Sequence, residues 1–188
     1  MNAALLVLRI VPGLLLVGHG LQKLLPPAYS PPLLHAAGHR AAAGGFEQLG
    51  IRPSLPAAVL AGSAELLGGL SLAAGLLTPV GTILVGAVMT TAILTAHARN
   101  GIWNAEGGFE FPLLLLALGF VITALGPGAY SVDRWVGVDN WAGIQWSASM
   151  VMRAVSALEI GIAVGLVAAL GAWAARSNRR GTRAHAAD

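Results

Sequence analysis

The chain has 188 residues, 56% of them apolar and only 10% charged, with a mean hydropathy of +0.73. Soluble domains carry about a quarter charged residues, so the composition excludes a water-soluble globule and points to a membrane protein whose partner is the lipid bilayer. The formal charge of +3 reflects ten Arg and one Lys; four of the Arg lie between Arg176 and Arg183 and the other basic residues are scattered or set in apolar runs, which is not the footprint of a nucleic-acid binder. The absence of Cys excludes disulfides, thiolate catalysis and thiolate metal sites.

The first apolar segment, residues 3–25, is long enough to span a bilayer, which takes about 20 helical residues. It has neither a basic leader nor a small-residue cleavage site, so it is expected to remain a helix and not to be removed as a signal peptide. At about 100° per residue, Arg9, His19 and Lys23 fall within an arc of about 80° and share one face. Such groups inside a span turn toward the bundle and find partners. For Lys23 two readings stay open, an inward contact or a side chain that snorkels to water.

A Pro/Gly-rich stretch, residues 26–56, is expected to be a long loop. The second segment, 55–77, holds a single acidic residue, Glu65. Glu65 is expected about 14 Å deep, with His19 about 9 Å deep from the same side and Arg9 about 10 Å beyond Glu65. The expected partner of Glu65 is therefore Arg9, His19 or both. Ala61, Glu65 and Gly69 form a small-residue stripe that admits a neighbouring helix.

"LLTPVG" then makes a tight helical hairpin, with Thr78 as the expected cap of the next helix and Pro79 in its first turn. The third segment (80–96) and the fourth (111–125) are short and must borrow flanking residues. Between them lies "HARNGIWNAEGGFEFP", residues 97–112, a polar, Gly-rich connection with Trp103 and Phe109 as interfacial anchors. "GPGAYSVDRWVGVDNWAGIQWSASM" places Trp135, Trp141 and Trp146 near the opposite boundary. The fifth segment, 154–173, is apolar apart from Glu159, and a polar tail with four Arg begins at Arg176.

In an antiparallel bundle one membrane face collects His19, Gln22 and Lys23 beside Glu65, His97, Asn104 and Glu110, with the 97–112 connection as a lid. Arg9 completes the cluster from deeper in the first helix. A clamp that only pins helices is one reading, and a pocket for a small ligand or quinone head group is the other. Metal binding is not expected, because no His-x-x-x-His or Glu-x-x-His spacing occurs among these residues. The sequence designates no catalytic residue and no covalently bound cofactor.

An Arg early in the first segment, "GHGLQKL", "FEQLGIRP", "AGSAELLGGLSLAAGLLTP", "GGFEFP" and "GPGAYSVD" follow in order over residues 5–133. This succession resembles the DoxX family of small bacterial membrane proteins. The resemblance implies a four-helix bundle and carries Arg9, His19, Lys23, Glu65, Gly108 and Glu110 as matching positions. It also implies a place in the bacterial cell membrane and, for some relatives, a link to oxidoreductase systems. The chain departs from the pattern by adding the fifth segment and the Arg-rich tail.

The expected fold is thus all-α, a polytopic membrane bundle with a DoxX-like four-helix core and a fifth transmembrane helix. Its parts are the core (1–133), the Trp-rich connection with the extra helix (134–175) and the tail (176–188). The leading function is an accessory or docking subunit for a membrane oxidoreductase, with a quinone as the expected noncovalent ligand. A ligand-free assembly subunit, including a homo-oligomer, and a small-molecule carrier are the alternatives. Five spans put the termini on opposite sides, and the positive-inside rule puts the tail in the cytoplasm. In that arrangement Glu159 offers Arg9 an alternative partner.

Overall fold

The computed structural model describes residues 2–137 and 150–185. Seven α-helices lie in this part of the chain: α1 (Asn2–Leu24), α2 (Gly38–Gln48), α3 (Ser54–Ala74), α4 (Thr78–Ala92), α5 (Glu110–Leu125), α6 (Val132–Val136) and α7 (Met150–His185). A π-helical turn, Ile93–His97, and a 3-10 turn, Ala98–Asn100, prolong α4. With that extension, four helices among the described residues are long and apolar enough to cross a membrane, and α5 is a shorter apolar one. The chain is a polytopic helical membrane bundle.

Helix α1 packs mainly on α3 and runs antiparallel to it. Glycine makes the approach possible. A Cβ on Gly20 would lie 2.6 Å from the Leu66 nitrogen, and one on Gly69 would lie 2.6 Å from the Gly13 oxygen. The stripe that admits α1 is therefore Gly62 and Gly69 flanking Glu65, all three buried, while Ala61 is only half-buried. Leu16 and Leu72 continue this seam into the core, where Val85, Met89, Leu115 and Ile122 close it.

The turn from α3 to α4 is set by Gly75, whose left-handed backbone (φ 65°) ends α3. The Leu76 amide donates to Ser71 O, which satisfies a carbonyl of the last turn. Thr78 does not cap α4 with its side chain; it is the first helical residue, fully buried, and its hydroxyl has no hydrogen-bond partner among the described residues. The capping position belongs to Leu77, whose amide donates to both carboxylate oxygens of Asp133 at 3.1 and 3.0 Å. Pro79 lies in the first turn, as expected.

Helix α7 packs on α4 and, less extensively, on α5. Gly161 meets Gly86 and Gly165 meets Thr90, so α7 runs parallel to α4. The bundle thus has two ends. The hairpin end holds the start of α1, the Gly75–Leu77 turn and residues 126–137. The lid end holds the end of α1, α2, the 97–110 connection and the last turns of α7, where the Arg176 side chain lies against Gly50. Val11, Leu14, Leu60, Leu67, Leu114, Val167 and Leu170 are exposed around the outside, an apolar belt suited to lipid. Trp141 and Trp146 lie outside the described residues.

Candidate polar site at the lid end

The lid end is built around one ion pair. Lys23 Nζ lies 2.6 Å from Glu65 Oε2, with the Glu65 side chain only 6% exposed and that of Lys23 25%. A weaker contact of 3.4 Å runs from Lys23 Nζ to His19 O. Lys23 reaches inward because Gly62, one turn before Glu65, leaves room; a Cβ there would lie 3.1 Å from the Lys23 Cβ. The inward reading of Lys23 therefore describes the fold, and snorkelling does not. Glu65 pairs with Lys23, not with Arg9 or His19 as the depth argument expected.

His19 is exposed, and its ring stands 6.0 Å from that of Phe111, tilted by 58°. The ring links α1 to the start of α5, and His19 meets the ion pair only through its backbone oxygen.

Gln22 has a positioning role. Its side-chain amide donates to Leu34 O at 2.9 Å, while its backbone carbonyl accepts from the Ala37 backbone amide at 3.1 Å. Ser30 Oγ accepts from the Ala36 amide at 2.8 Å and folds the same segment back. These bonds bring α2 over the end of α1. Between them opens a groove of about 560 Å³, lined by Gln22 and Lys23 on one wall and by Ala37, Ala41, Gly45, Phe46 and Leu49 on the other. The long loop expected for residues 26–56 thus contains a helix. Its signal in the sequence is Ala42, Phe46 and Leu49 at helical spacing, ended by Gly50, and the pair Gly44–Gly45 obscured it.

The lid closes on itself. His97 Nδ1 is 2.8 Å from Gly107 O, and the Asn100 amide donates to the same oxygen at 3.2 Å. Glu110 Oε2 accepts from the Asn104 backbone amide at 2.9 Å, so the carboxylate ties the start of α5 to the lid. Gly108 sits 2.4 Å, by its absent Cβ, from Gly101 O, which leaves space for no other residue. His97, Asn104 and Glu110 therefore hold the lid's shape, and none of them lines the groove. No group of three His, Asp or Glu side chains suited to a metal ion occurs among the described residues.

Arg9 belongs to the other end. Its guanidinium is buried and donates to Pro127 O and to Tyr130 O. Asp133, fully buried, acts on it as the opposing charge and also holds Leu77. A Cβ on Gly75 would lie 1.9 Å from Arg9 Nη1, so Gly75 provides both the left-handed turn and the space for the cation. The physical reason is distance: ten residues separate Arg9 from His19, about 15 Å of helix, more than a side chain recovers. The free carbonyls after α5 supply the acceptors that Glu65 was expected to supply. Glu159 is exposed on α7 and is not the partner of Arg9.

The family model described as DoxX matches residues 4–98, half of the 188-residue chain. No curated protein and no solved structure matches it. The matched stretch runs from α1 through the π-helical turn that prolongs α4 and includes Arg9, His19, Lys23 and Glu65. It stops before Gly108, Glu110 and the 126–133 loop, which rest on their motifs alone. The chain is an integral, multi-pass membrane protein that belongs to the DoxX family.

Proposed function

We propose that the protein is an accessory subunit of a membrane oxidoreductase system in the bacterial cell membrane, and that it holds a quinone-like head group in the groove between α1 and α2. The observation that carries this reading is the groove itself. It is a shallow groove open along one side, and its volume, about 560 Å³, falls in the range of small-molecule sites, about 300–1,000 Å³. Its two walls have the chemistry of an amphiphile. Lys23 keeps donors beyond the one spent on Glu65, and a quinone offers carbonyl acceptors; Ala41, Phe46 and Leu49 suit the ring and the start of an isoprenoid tail. The chain has no Cys, so electrons for such a ligand would come from a partner enzyme.

The groove can be filled without touching the ion pair. A Cβ at Gly45 meets nothing within 4 Å, so Gly45→Leu projects into open space on the α2 wall. Protein purified in mild detergent is extracted and its quinone measured by mass spectrometry. Bound quinone that falls at least about tenfold in Gly45→Leu supports the reading; the absence of quinone from the wild type, or equal quinone in both, removes it.

The assembly-subunit alternative has its own support. Lys23–Glu65 and the Gly20–Gly62 approach fasten α1 to α3 without any ligand. In that case partner proteins co-purify equally with the wild type and Gly45→Leu.

A further inference from the structure

The last helix carries a feature that the groove does not use. We infer that the lid end of the bundle docks on anionic phospholipid head groups, held by a basic stripe on the part of α7 that projects past the membrane. The apolar, span-length part of α7 is Ala154–Ser177, yet the helix continues to His185. At about 1.5 Å per residue, eight further residues carry it about 12 Å beyond the span, enough to cross a head-group layer of about 5–8 Å. Arg176, Arg179, Arg180 and Arg183 recur at i, i+3, i+4 and i+7, which places them on one helix face. The only acidic residue after Arg176 is Asp188.

Two observations commit this stripe to a lipid surface. The first is its height. The Arg176 side chain rests on Gly50, where an added Cβ would lie 2.2 Å from the Arg176 Cγ, so the stripe begins level with the turn between α2 and α3. Tyr29, Leu33, Ile102 and Trp103 are exposed at this same end, and such residues sit at the head-group boundary. The second is charge. Arg40 and Arg99 are exposed here, while the acidic residues are largely engaged: Glu47 with Arg52, Glu65 with Lys23, and Glu110 with the Asn104 amide. A surface with this surplus beside a span attracts anionic lipid, by about fivefold in affinity for each basic residue at the interface.

The test uses the full chain in detergent micelles doped with equal phosphatidylglycerol and phosphatidylcholine, and native mass spectrometry counts the lipids retained. The wild type is expected to retain phosphatidylglycerol over phosphatidylcholine by at least about tenfold. Replacing Arg179, Arg180 and Arg183 together by Gln should abolish most of that preference, whereas the same positions changed to Lys should keep it. Arg134→Gln, at the hairpin end, should leave it unchanged. No preference in the wild type, an undiminished preference in the Gln variant, or its loss in the Lys variant overturns the proposal. Because the lipid count is independent of quinone content, the groove reading stands or falls separately.

Discussion

Lys23 and Glu65 meet at 2.6 Å across the α1–α3 seam, and their exposures are unequal. That inequality makes the two halves of the pair cost different amounts to remove. Lys23→Met strands a carboxylate that is almost fully buried, a loss of about 3–5 kcal/mol. Glu65→Gln keeps an acceptor for the ammonium group, which also reaches water, so about 1–2 kcal/mol is expected. Thermal melting in detergent should rank Lys23→Met well below Glu65→Gln. Equal melting points would mean the pair does not fasten the helices. Glu106→Ala, exposed in the lid, should change little.

At the hairpin end the test is a double-mutant cycle between Arg9 and Gly75. Arg9→Ala removes the donors to Pro127 O and Tyr130 O and takes a cation away from the buried Asp133, so about 3–5 kcal/mol is expected. Gly75→Ala costs backbone strain of about 1–2 kcal/mol and in addition collides with the guanidinium. With Arg9 truncated that collision disappears, while the one with the Ser131 Cβ at 2.7 Å remains in both backgrounds. The double variant should therefore be more stable than the sum of the single losses predicts, by about 1 kcal/mol or more. Strict additivity would separate the two residues energetically.

How much of this was legible beforehand differs between the two ends. The apolar runs located the five long helices to within a few residues at most ends, because period and length are local properties of the chain. Two ends show the limit: the expected second segment ran to residue 77, but Gly75 turns the chain earlier, and the expected fifth segment stopped at 173, whereas α7 runs on through the Arg-rich tail to His185. Lys23 and Glu65 were both singled out, yet Glu65 was matched with the wrong cation, since the choice among Arg9, His19 and Lys23 depends on Gly62 making room for one of them. The partners of Arg9 were not legible at all. Two are backbone carbonyls, which no residue type announces, and the third, Asp133, lies in the short helix α6 far along the chain. Helix α2 stayed hidden because Gly44 and Gly45 weaken a helical pattern that packing on α3 and α1 restores.

Helix α7 lies outside the residues matched by the family model, and its contact with α4 should be sensitive to single atoms. A Cβ on Gly161 would lie 2.8 Å from Ile83 O and 3.0 Å from the Gly86 Cα. Gly161→Val should therefore lower stability by about 2–3 kcal/mol and loosen α7 from the bundle, which limited proteolysis between α6 and α7 would report. Gly171→Ala is the contrasting change, since nothing lies within 4 Å of its Cβ. That variant should melt at or slightly above the wild type. Identical behaviour of the two would mean that α7 does not pack on α4 through Gly161.

The last prediction is the orientation in the membrane. Because α7 runs parallel to α4, the start of α1 and the end of α7 lie at opposite ends of the bundle. The lid end carries Arg40, Arg52, Arg99, Arg176, Arg179, Arg180 and Arg183, whereas the hairpin end has Arg134 in α6 and Arg153 in the first turn of α7. Lys and Arg in short connections set orientation, so seven against two places the lid end in the cytoplasm and the N-terminus outside. The competing arrangement has a cytoplasmic N-terminus and an external lid. With α7 spanning, it must carry the four-Arg stretch across the bilayer; otherwise α7 has to leave the bundle for the interface, although Gly161 and Gly165 seat it against α4. Glu159 does not tip the balance toward an interfacial α7. A single carboxylate near the end of an apolar helix costs at most about 2.5–3.5 kcal/mol, and less away from the bilayer centre. Reporter fusions after Asn104 and at Asp188 should both read as cytoplasmic. A periplasmic reading at Asn104 with a cytoplasmic one at Asp188 would mean that α7 does not cross, and periplasmic readings at both sites would invert the bundle.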